Sequence, residues 1–177
     1  MGKIHWNEEM DEVFRIALIG KSGSGKSAVA EILSQKFDVP IIKTGAVCRK
    51  VSKILFGNED KRSTQMLDDA LTQIDGSIFL KSALRGVTDM DGYIIDSIRF
   101  SSDLSLAKYN GCKILRILAQ DSIRVQRLQE RGQVFSLESD GNHRSEVELD
   151  GVSVDNEIVN ENSIAHLKCS IVSMYYR

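Results

Sequence analysis

The chain has 177 residues, of which 42% are hydrophobic and 27% are charged, and its formal net charge is −2. This length suits one domain over residues 1–177, and the balance is typical of a globular fold and argues against wholesale disorder. The small net charge offers no surface for a polyanion, and no apolar run approaches the roughly 18 residues of a membrane helix. We therefore expect neither a nucleic-acid partner nor a membrane partner.

The three cysteines are Cys48, Cys112 and Cys169, which are widely spaced and include no CxxC pair. We interpret them as reduced thiols, which predicts a cytoplasmic protein, and no pair of Cys or His has zinc-ligand spacing. Residues 1–14 are polar and mixed in charge, so they lack the apolar run of a signal peptide. The sequence leaves open whether the protein is a monomer or a homodimer.

Short apolar runs alternate with helical patterns along the chain. Runs that read as strands lie at 15–19, 40–42, 93–95, 113–118 and 156–159. Helical spacing predicts helices over 26–37, 45–56, 64–74, 77–84, 102–109 and 121–131, with a last helix from 163. Strands that alternate with helices indicate a parallel sheet with helices on both faces, which is a three-layer α/β fold.

Two segments depart from this alternation. Residues 44–92 are helical without an intervening strand, and residues 133–151 are polar and rich in turn formers, which is typical of a mobile loop. Residues 15–43, 93–132 and 152–177 make up the predicted core. Such folds bind ligands at the carboxyl edge of the sheet, so we expect both segments to lie over that edge.

Residues 20–27 (GKSGSGKS) fit G-x-x-x-x-G-K-[ST], the phosphate-binding P-loop, and lie between an apolar run and a helical pattern. The glycines let the backbone approach phosphate, and the N–H groups of the loop and the next helix point inward. Lys26 would reach the β- and γ-phosphates of ATP, and Ser27 would bind Mg²⁺. The alternative is a flexible glycine loop, but the context favours nucleotide binding. The predicted nucleotide-binding residues are Gly20, Ser22, Gly23, Ser24, Gly25, Lys26, Ser27 and Ala28.

An acidic residue, Asp96, follows the apolar run 93–95. A carboxylate at the carboxyl end of a strand can hold Mg²⁺ through water, so we predict Asp96 as a metal ligand together with Ser27. The alternative is that Asp96 caps a turn. Arg99 follows three residues later, and we predict that it holds a phosphate bidentately, although a lone arginine is more often a surface charge.

Arg124, Arg127 and Arg131 recur at i, i+3 and i+7, along one face of a predicted helix. Phosphoryl transfer needs charge stabilisation and alignment more than covalent chemistry, so a kinase should gather arginines above the P-loop. Together with Lys26, we predict catalytic roles for Arg127, Arg131 and Arg144, which could swing in from the polar loop. We assign none to Arg124. The alternative for these arginines is a solvated basic face.

At these motifs the chain resembles the nucleoside monophosphate kinases, which include adenylate kinases and phage-type deoxynucleoside monophosphate kinases. Thr44-Gly45 followed by Arg49 resembles the family's T-G-x-x-x-R element. In that element the Thr and Gly line the acceptor base and the Arg grips the acceptor phosphate. Residues 96–100 (DSIRF) are similar to the phage-type element in which Arg and Phe follow an aspartate, and Asp103 lies where those enzymes often carry an acidic residue.

Two further elements extend the resemblance towards the end of the chain. Residues 127–132 (RLQERG) resemble the R-L-x-x-R-G element that leads into the family's lid and whose arginines embrace the transferring phosphate. Residues 143–150 resemble the H-x-S-E-x-x-L-D stretch of the phage-type lid. Ala46 and Ser97 depart from the adenylate kinase pattern, so the acceptor base stays open.

The resemblance implies a P-loop fold with a five-stranded parallel sheet, a helical acceptor-binding insert at 44–92 and a lid at 133–151. It implies transfer of phosphate from ATP, with Mg²⁺, to a nucleoside or deoxynucleoside monophosphate. The predicted acceptor-binding residues are Thr44, Gly45, Arg49, Arg99 and Asp103. Two alternatives stay open, namely a kinase for another small acceptor, such as dephospho-coenzyme A or phosphomevalonate, and a non-catalytic P-loop protein switched by nucleotide.

Overall fold

The computed structural model describes residues 13–87, 92–133, 135–138 and 140–175. Most of the polar N-terminal segment, residues 88–91 of the insert and residues 134 and 139 of the predicted loop therefore lie outside the described residues. The strands are β1 (Arg15–Ile19), β2 (Ile41–Ile42), β3 (Tyr93–Ile95), β4 (Lys113–Leu118) and β5 (Asn156–Val159). They form one parallel sheet in the order β2-β3-β1-β4-β5. The predicted five-stranded parallel sheet is confirmed.

The helices are α1 (Lys26–Phe37), α2 (Thr44–Phe56), α3 (Lys61–Thr72), α4 (Ile78–Leu84), α5 (Ser101–Tyr109), α6 (Asp121–Glu130), α7 (Arg144–Val147) and α8 (Ile164–Tyr175). Helix α3 begins three residues before its predicted start because the Asp60 side chain caps it and accepts a hydrogen bond from the Ser63 N–H at 2.8 Å. Within the described part of the chain, no helix has the length and apolar character needed to cross a bilayer.

Both faces of the sheet are covered, because successive side chains of a strand point to opposite faces. Leu18 packs on the face covered by α1 and α8, and its neighbour Ile19 packs on the face covered by α5. The core on the α1 side includes Val29, Leu33, Ile94, Leu167 and Ile171. The core on the α5 side includes Ile42, Ile95, Leu104, Ala107 and Ile114. The three-layer α/β architecture predicted from the sequence is confirmed.

Helices α2, α3 and α4 form a small core of their own around Cys48, Leu67 and Phe79. This core lies within the predicted helical insert. The helices of the insert pack on one another there, and α4 also joins the core on the α5 side through Leu80.

The prediction of a mobile loop over 133–151 needs a correction, because this segment contains α7 and its end is anchored to the sheet. The Leu149 side chain is buried in the core on the α5 side. The Arg116 guanidinium of β4 donates to the Leu149 carbonyl at 3.1 Å and to the Val152 carbonyl at 2.6 Å. At the start of α7, His143 Nδ1 accepts a hydrogen bond from the Ser145 N–H.

We expect Leu33→Ala to lower the free energy of unfolding by about 2–5 kcal/mol, because it opens a cavity where α1 meets the sheet. Leu33 is fully buried, whereas Ile54 on α2 is 73% exposed. Ile54→Ala is therefore the matched control, with an expected change within about 0.5 kcal/mol. Urea unfolding measures both, and equal effects would contradict the packing described here.

Candidate active site

The P-loop connects β1 to α1, and its glycines are needed by both backbone conformation and packing. Gly20, Gly23 and Gly25 have φ angles of +141°, +80° and +101°. A Cβ atom on Gly20 would lie 2.4 Å from the Ile117 carbonyl oxygen, and one on Gly25 would lie 2.1 Å from Asn160 Nδ2. The loop is therefore pressed against β4 and against the residue that follows β5. Only glycine combines these φ angles with this close approach.

The inner side of the loop carries hydrogen-bond donors without protein partners. The N–H groups of Gly25, Lys26 and Ser27 donate to no other described residue, and the next residue, Ala28, packs against the core on the α1 side. The buried Ser24 hydroxyl also has no partner. Free N–H groups at the start of a helix, combined with the helix dipole, bind anions. This geometry fits the phosphate groups of a nucleotide.

The outer side of the loop carries carbonyl groups that accept hydrogen bonds from distant side chains. Arg124 Nε donates to the Ser22 carbonyl at 2.8 Å, and Asn160 Nδ2 donates to the Ser24 carbonyl at 2.8 Å. Arg127 Nη1 donates to the Asn160 carbonyl at 3.0 Å and lies 3.5 Å from the Ser24 carbonyl. The predicted catalytic residue Arg127 thus contacts the outside of the loop.

Sequence reasoning missed the two residues that make the shortest of these contacts. Arg124 lies in the predicted row of arginines, but its guanidinium is only 2% exposed and forms an ion pair with Asp121. Asn160 is buried directly after the last strand, where residues 155–160 resemble the terminal strand of the nucleoside monophosphate kinases and the loop beside their purine. Both residues hold the loop from behind.

The Lys26 ammonium group lies within the loop and donates to the Gly20 carbonyl at 2.5 Å and to the Lys21 carbonyl at 3.1 Å. Burial, together with the positive charge of Arg99, lowers the pKa of Lys26 to about 8, while Glu146 and Asp96 oppose the shift. Because the buried ammonium group of Lys26 is poorly solvated, a bound anion would stabilise its charged form strongly.

A carboxylate from α7 reaches the anion-binding side of the loop. Glu146 accepts hydrogen bonds from the Ser22 N–H at 2.7 Å and from the Ser22 hydroxyl at 2.5 Å. Its Oε2 atom also lies 3.6 Å from Arg124 Nη2. Glu146 stood in the sequence only as part of the lid motif, with no signal that it contacts the P-loop. Its carboxylate uses donors of the kind that bind phosphate oxygens.

The two predicted metal ligands, Ser27 and Asp96, supply oxygen donors. Ser27 is exposed at the start of α1, and Asp96 is half-buried directly after β3. Burial raises the pKa of Asp96, and the charges of Lys43 and Lys26 oppose this. Among the described residues, no group of three or more His, Cys, Asp or Glu could hold a metal ion. One hydroxyl and one carboxylate suit Mg²⁺ that takes its other ligands from water and phosphate, and the metal role stays a prediction.

A cleft of about 450 Å³ extends from the P-loop to the helical insert. Ser22 and Glu146 line one end, and Gly45, Arg49 and Arg99 line the side towards the insert. Both arginines are exposed. The cleft is within the usual size range of small-molecule sites.

Two other predicted acceptor-binding residues use their polar groups on the protein itself. The Thr44 hydroxyl donates to the Ser97 carbonyl at 2.8 Å and so connects α2 to the turn after β3. The Asp103 carboxylate accepts a hydrogen bond from the Arg99 backbone N–H at 3.4 Å. Burial raises the pKa of Asp103 to about 6. Both residues line a narrower cavity beside the cleft and hold the turn that carries Arg99.

The two remaining predicted catalytic arginines lie further out. Arg131 follows the last residue of α6 and is exposed, and its guanidinium forms no hydrogen bond or ion pair with another described residue. Arg144 pairs with Glu148, which raises its pKa, and its guanidinium lies 4.8 Å from the centre of the Phe100 ring. Their catalytic roles stay predictions.

Comparison with known proteins gives relatives that carry two kinase names. An adenylate kinase from Buchnera aphidicola subsp. Baizongia pistaciae is 50% identical over 48 residues, which are 26% of this chain and 22% of the relative. A cytidylate kinase from Listeria innocua serovar 6a is 34% identical over 123 residues, which are 70% of this chain and 51% of the relative. The chain thus spans about half or less of the length of these curated relatives. No family model matches the chain.

The chain is thus similar in sequence to proteins named as nucleoside monophosphate kinases. Solved structures share the fold of this chain over nearly its whole length. TT1252 from Thermus thermophilus superposes with a TM-score of 0.60 at 16% identity and covers 92% of this chain and 97% of its own. A shikimate kinase from Aquifex aeolicus gives a TM-score of 0.59 at 16% identity, with 92% and 96% covered.

We expect Glu146→Gln to increase the affinity of the P-loop for ADP by about tenfold, which corresponds to roughly 1.4 kcal/mol. The Glu146 carboxylate competes with phosphate oxygens for the Ser22 donors, and its charge repels a polyphosphate. Isothermal titration calorimetry measures the affinity. Glu138→Gln is the control, because Glu138 is exposed in the same segment and touches no P-loop residue. Unchanged or weaker binding in Glu146→Gln would contradict the competition.

We expect ADP binding to take up protons near pH 8, where Lys26 is partly neutral. Its pKa is lowered from the ordinary value, so the charged form predominates only below about pH 8, and affinity should fall as the pH rises through that value. Titration calorimetry in two buffers with different heats of ionisation measures the uptake. In Lys26→Arg the guanidinium stays charged, so the uptake should vanish. Equal uptake in both proteins would assign the proton to another group.

Proposed function

We propose that the chain transfers the γ-phosphoryl group of ATP to a nucleoside or deoxynucleoside monophosphate, giving ADP and the diphosphate. The observation that carries the proposal is that Ser22 of the P-loop, Arg49 and Arg99 line the same cleft. Two guanidinium groups opposite a nucleotide site suit an acceptor that brings a phosphate of its own. The names of the adenylate and cytidylate kinase relatives support the same acceptor class.

In this proposal the phosphate donor is bound by backbone N–H groups in fixed positions and by the mobile ammonium group of Lys26. The free N–H groups at the start of α1 hold the phosphate chain, and Arg124 and Asn160 keep the loop rigid from behind. Lys26 leaves the Gly20 and Lys21 carbonyls and follows the negative charge of the transferred group. Mg²⁺ held at Ser27 and Asp96 would neutralise charge on the phosphate oxygens.

The acceptor side needs orientation but no general base, because a phosphate acceptor is already ionised at neutral pH. Arg49 and Arg99 would hold that phosphate in line with the donor. Arg127, Arg131 and Arg144 are the further candidates for stabilising the transferring group. Movement of the segment that carries α7 would bring Arg144 closer and exclude water from the cleft.

The alternatives fit the cleft less well. A neutral hydroxyl acceptor would leave Arg49 and Arg99 facing no anion, and it would need a general base near Asp96. A nucleotide-switched protein without catalysis would need no second cationic wall in the cleft. Acceptors such as dephospho-coenzyme A or phosphomevalonate carry phosphate and remain the nearest alternatives within the kinase class.

The deciding experiment measures ADP production from ATP and Mg²⁺ with each ribo- and deoxyribonucleoside monophosphate in turn. We expect strong stimulation by one or a few of them. Stimulation by none, while ATP still binds, would overturn the proposal. Phosphate release that needs no acceptor would instead support a nucleotide switch.

We expect Arg49→Ala to raise the KM for the monophosphate by about 10- to 100-fold, in line with the loss of roughly 1.5–3 kcal/mol for a hydrogen bond to a charged group. The value of kcat should change less, because the donor side is untouched. Arg62→Ala is the matched control, since Arg62 is exposed on α3 and lines no part of the cleft. Steady-state kinetics would contradict the role of Arg49 if both variants behaved alike.

We also propose a cytoplasmic location and partners limited to small nucleotides, in a monomer or a homodimer. The three cysteines, Cys48, Cys112 and Cys169, are all unpaired, which fits a reducing compartment.

A further inference from the structure

A buried carboxylate lies in the acceptor side of the cleft without a partner. Asp68 on α3 is only 7% exposed, and its carboxylate forms no hydrogen bond or ion pair with another described residue. It lines both the cleft and the narrower cavity beside it. Burial raises its pKa, and the nearby charge of Arg99 opposes this. A carboxylate that faces a cleft without a partner among the described residues is open to a hydrogen bond from a ligand.

The other polar side chains of the narrower cavity are already used by the protein. The Thr44 hydroxyl donates to the Ser97 carbonyl, and the Cys48 thiol donates to the Thr64 carbonyl at 3.4 Å. The Asp103 carboxylate accepts the Arg99 N–H. Among the described residues that line this cavity, Asp68 and the Arg99 guanidinium are therefore the polar side chains left for a ligand.

The remaining walls of this cavity are small or apolar, and they include Gly45, Gly76, Phe79 and Phe100. The cavity itself holds only about 30 Å³, so a flat heterocyclic ring would lie in the adjoining cleft of about 450 Å³ and turn one polar edge to Asp68, which lines both. Arg99 lines the same cavity and can bind the phosphate of the same molecule. The chemistry is that of a nucleoside monophosphate whose base faces Asp68.

We propose that Asp68 selects the acceptor base by accepting a hydrogen bond from its exocyclic amino group. Cytosine, adenine and guanine carry such a group, and guanine adds a second N–H donor that matches the other carboxylate oxygen. Uracil and thymine present one N–H between two carbonyl oxygens, and these oxygens repel a carboxylate. The inference rests on the proposed monophosphate kinase activity and adds the class of acceptor to it.

The test compares kcat/KM for the monophosphates of cytosine, adenine, guanine, uracil and thymine in the wild type and in Asp68→Asn. We expect the best amino-bearing acceptor to exceed the uracil and thymine acceptors by at least about 30-fold in the wild type, since an unpaired buried polar group is strongly rejected. In Asp68→Asn the ratio should fall below about 3-fold, because the amide can also donate to a base carbonyl.

Asp69→Asn is the matched control, because it removes the same charge one residue away. The Asp69 carboxylate lies 3.6 Å from His143 Nε2, and Asp69 lines neither cavity. This variant should keep the wild-type ratio. Urea unfolding checks that Asp68→Asn is folded, and the wild-type acceptor profile needs no variant at all.

Each outcome separates this inference from the proposed function. Stimulation by uracil or thymine monophosphates equal to or above that by the others would overturn the role of Asp68 and leave the kinase activity standing. An unchanged ratio in Asp68→Asn would do the same. Stimulation by no monophosphate would overturn the proposed function and, with it, this inference.

Discussion

The structure depends on one constraint, which is that the P-loop must turn its N–H groups inward. A peptide unit that points its N–H group to one side points its carbonyl group to the other, so the outer face of the loop needs donors. Those donors are the side chains of Arg124 and Asn160, which come from α6 and from the end of β5. The sheet order sets β1 beside β4, and β5 next to β4, so these elements reach the back of the loop.

The same constraint explains the charges around the loop. Lys26, Arg99 and Arg124 lie close together beside the loop, and burial, with the charges of the two arginines, lowers the pKa of Lys26. The Glu146 carboxylate offsets part of this charge through Ser22 and Arg124. Ion pairs attach the same segment to the loop and to the insert, with Lys21–Asp150 at 3.1 Å and Lys61–Asp140 at 2.5 Å. The described residues of the segment over 133–151 are thus attached by charged groups both to the P-loop and to the insert.

Much of the fold was predictable because its signals are local. Buried parallel strands are short apolar runs, and the P-loop is a contiguous motif, so both were found from sequence. Contacts between distant segments were not. Spacing put Arg124, Arg127 and Arg131 on one helix face, but α6 ends at Glu130, so Arg131 leaves that face. Glu146 and Asp68 carry no local signal, because their importance comes only from the groups that surround them.

In the proposed activity, backbone N–H groups bind the phosphate donor, whereas side chains bind the acceptor. The donor side uses backbone N–H groups, which bind any phosphate and cannot distinguish bases. In the proposed activity, side chains of the insert would then distinguish the bases, and α2, α3 and α4 pack there in a core around Cys48, Leu67 and Phe79. Leu67 anchors α3 in that core, and its neighbour Asp68 faces the cavity. A change of acceptor can then arise at Asp68 without disturbing the loop that holds the donor.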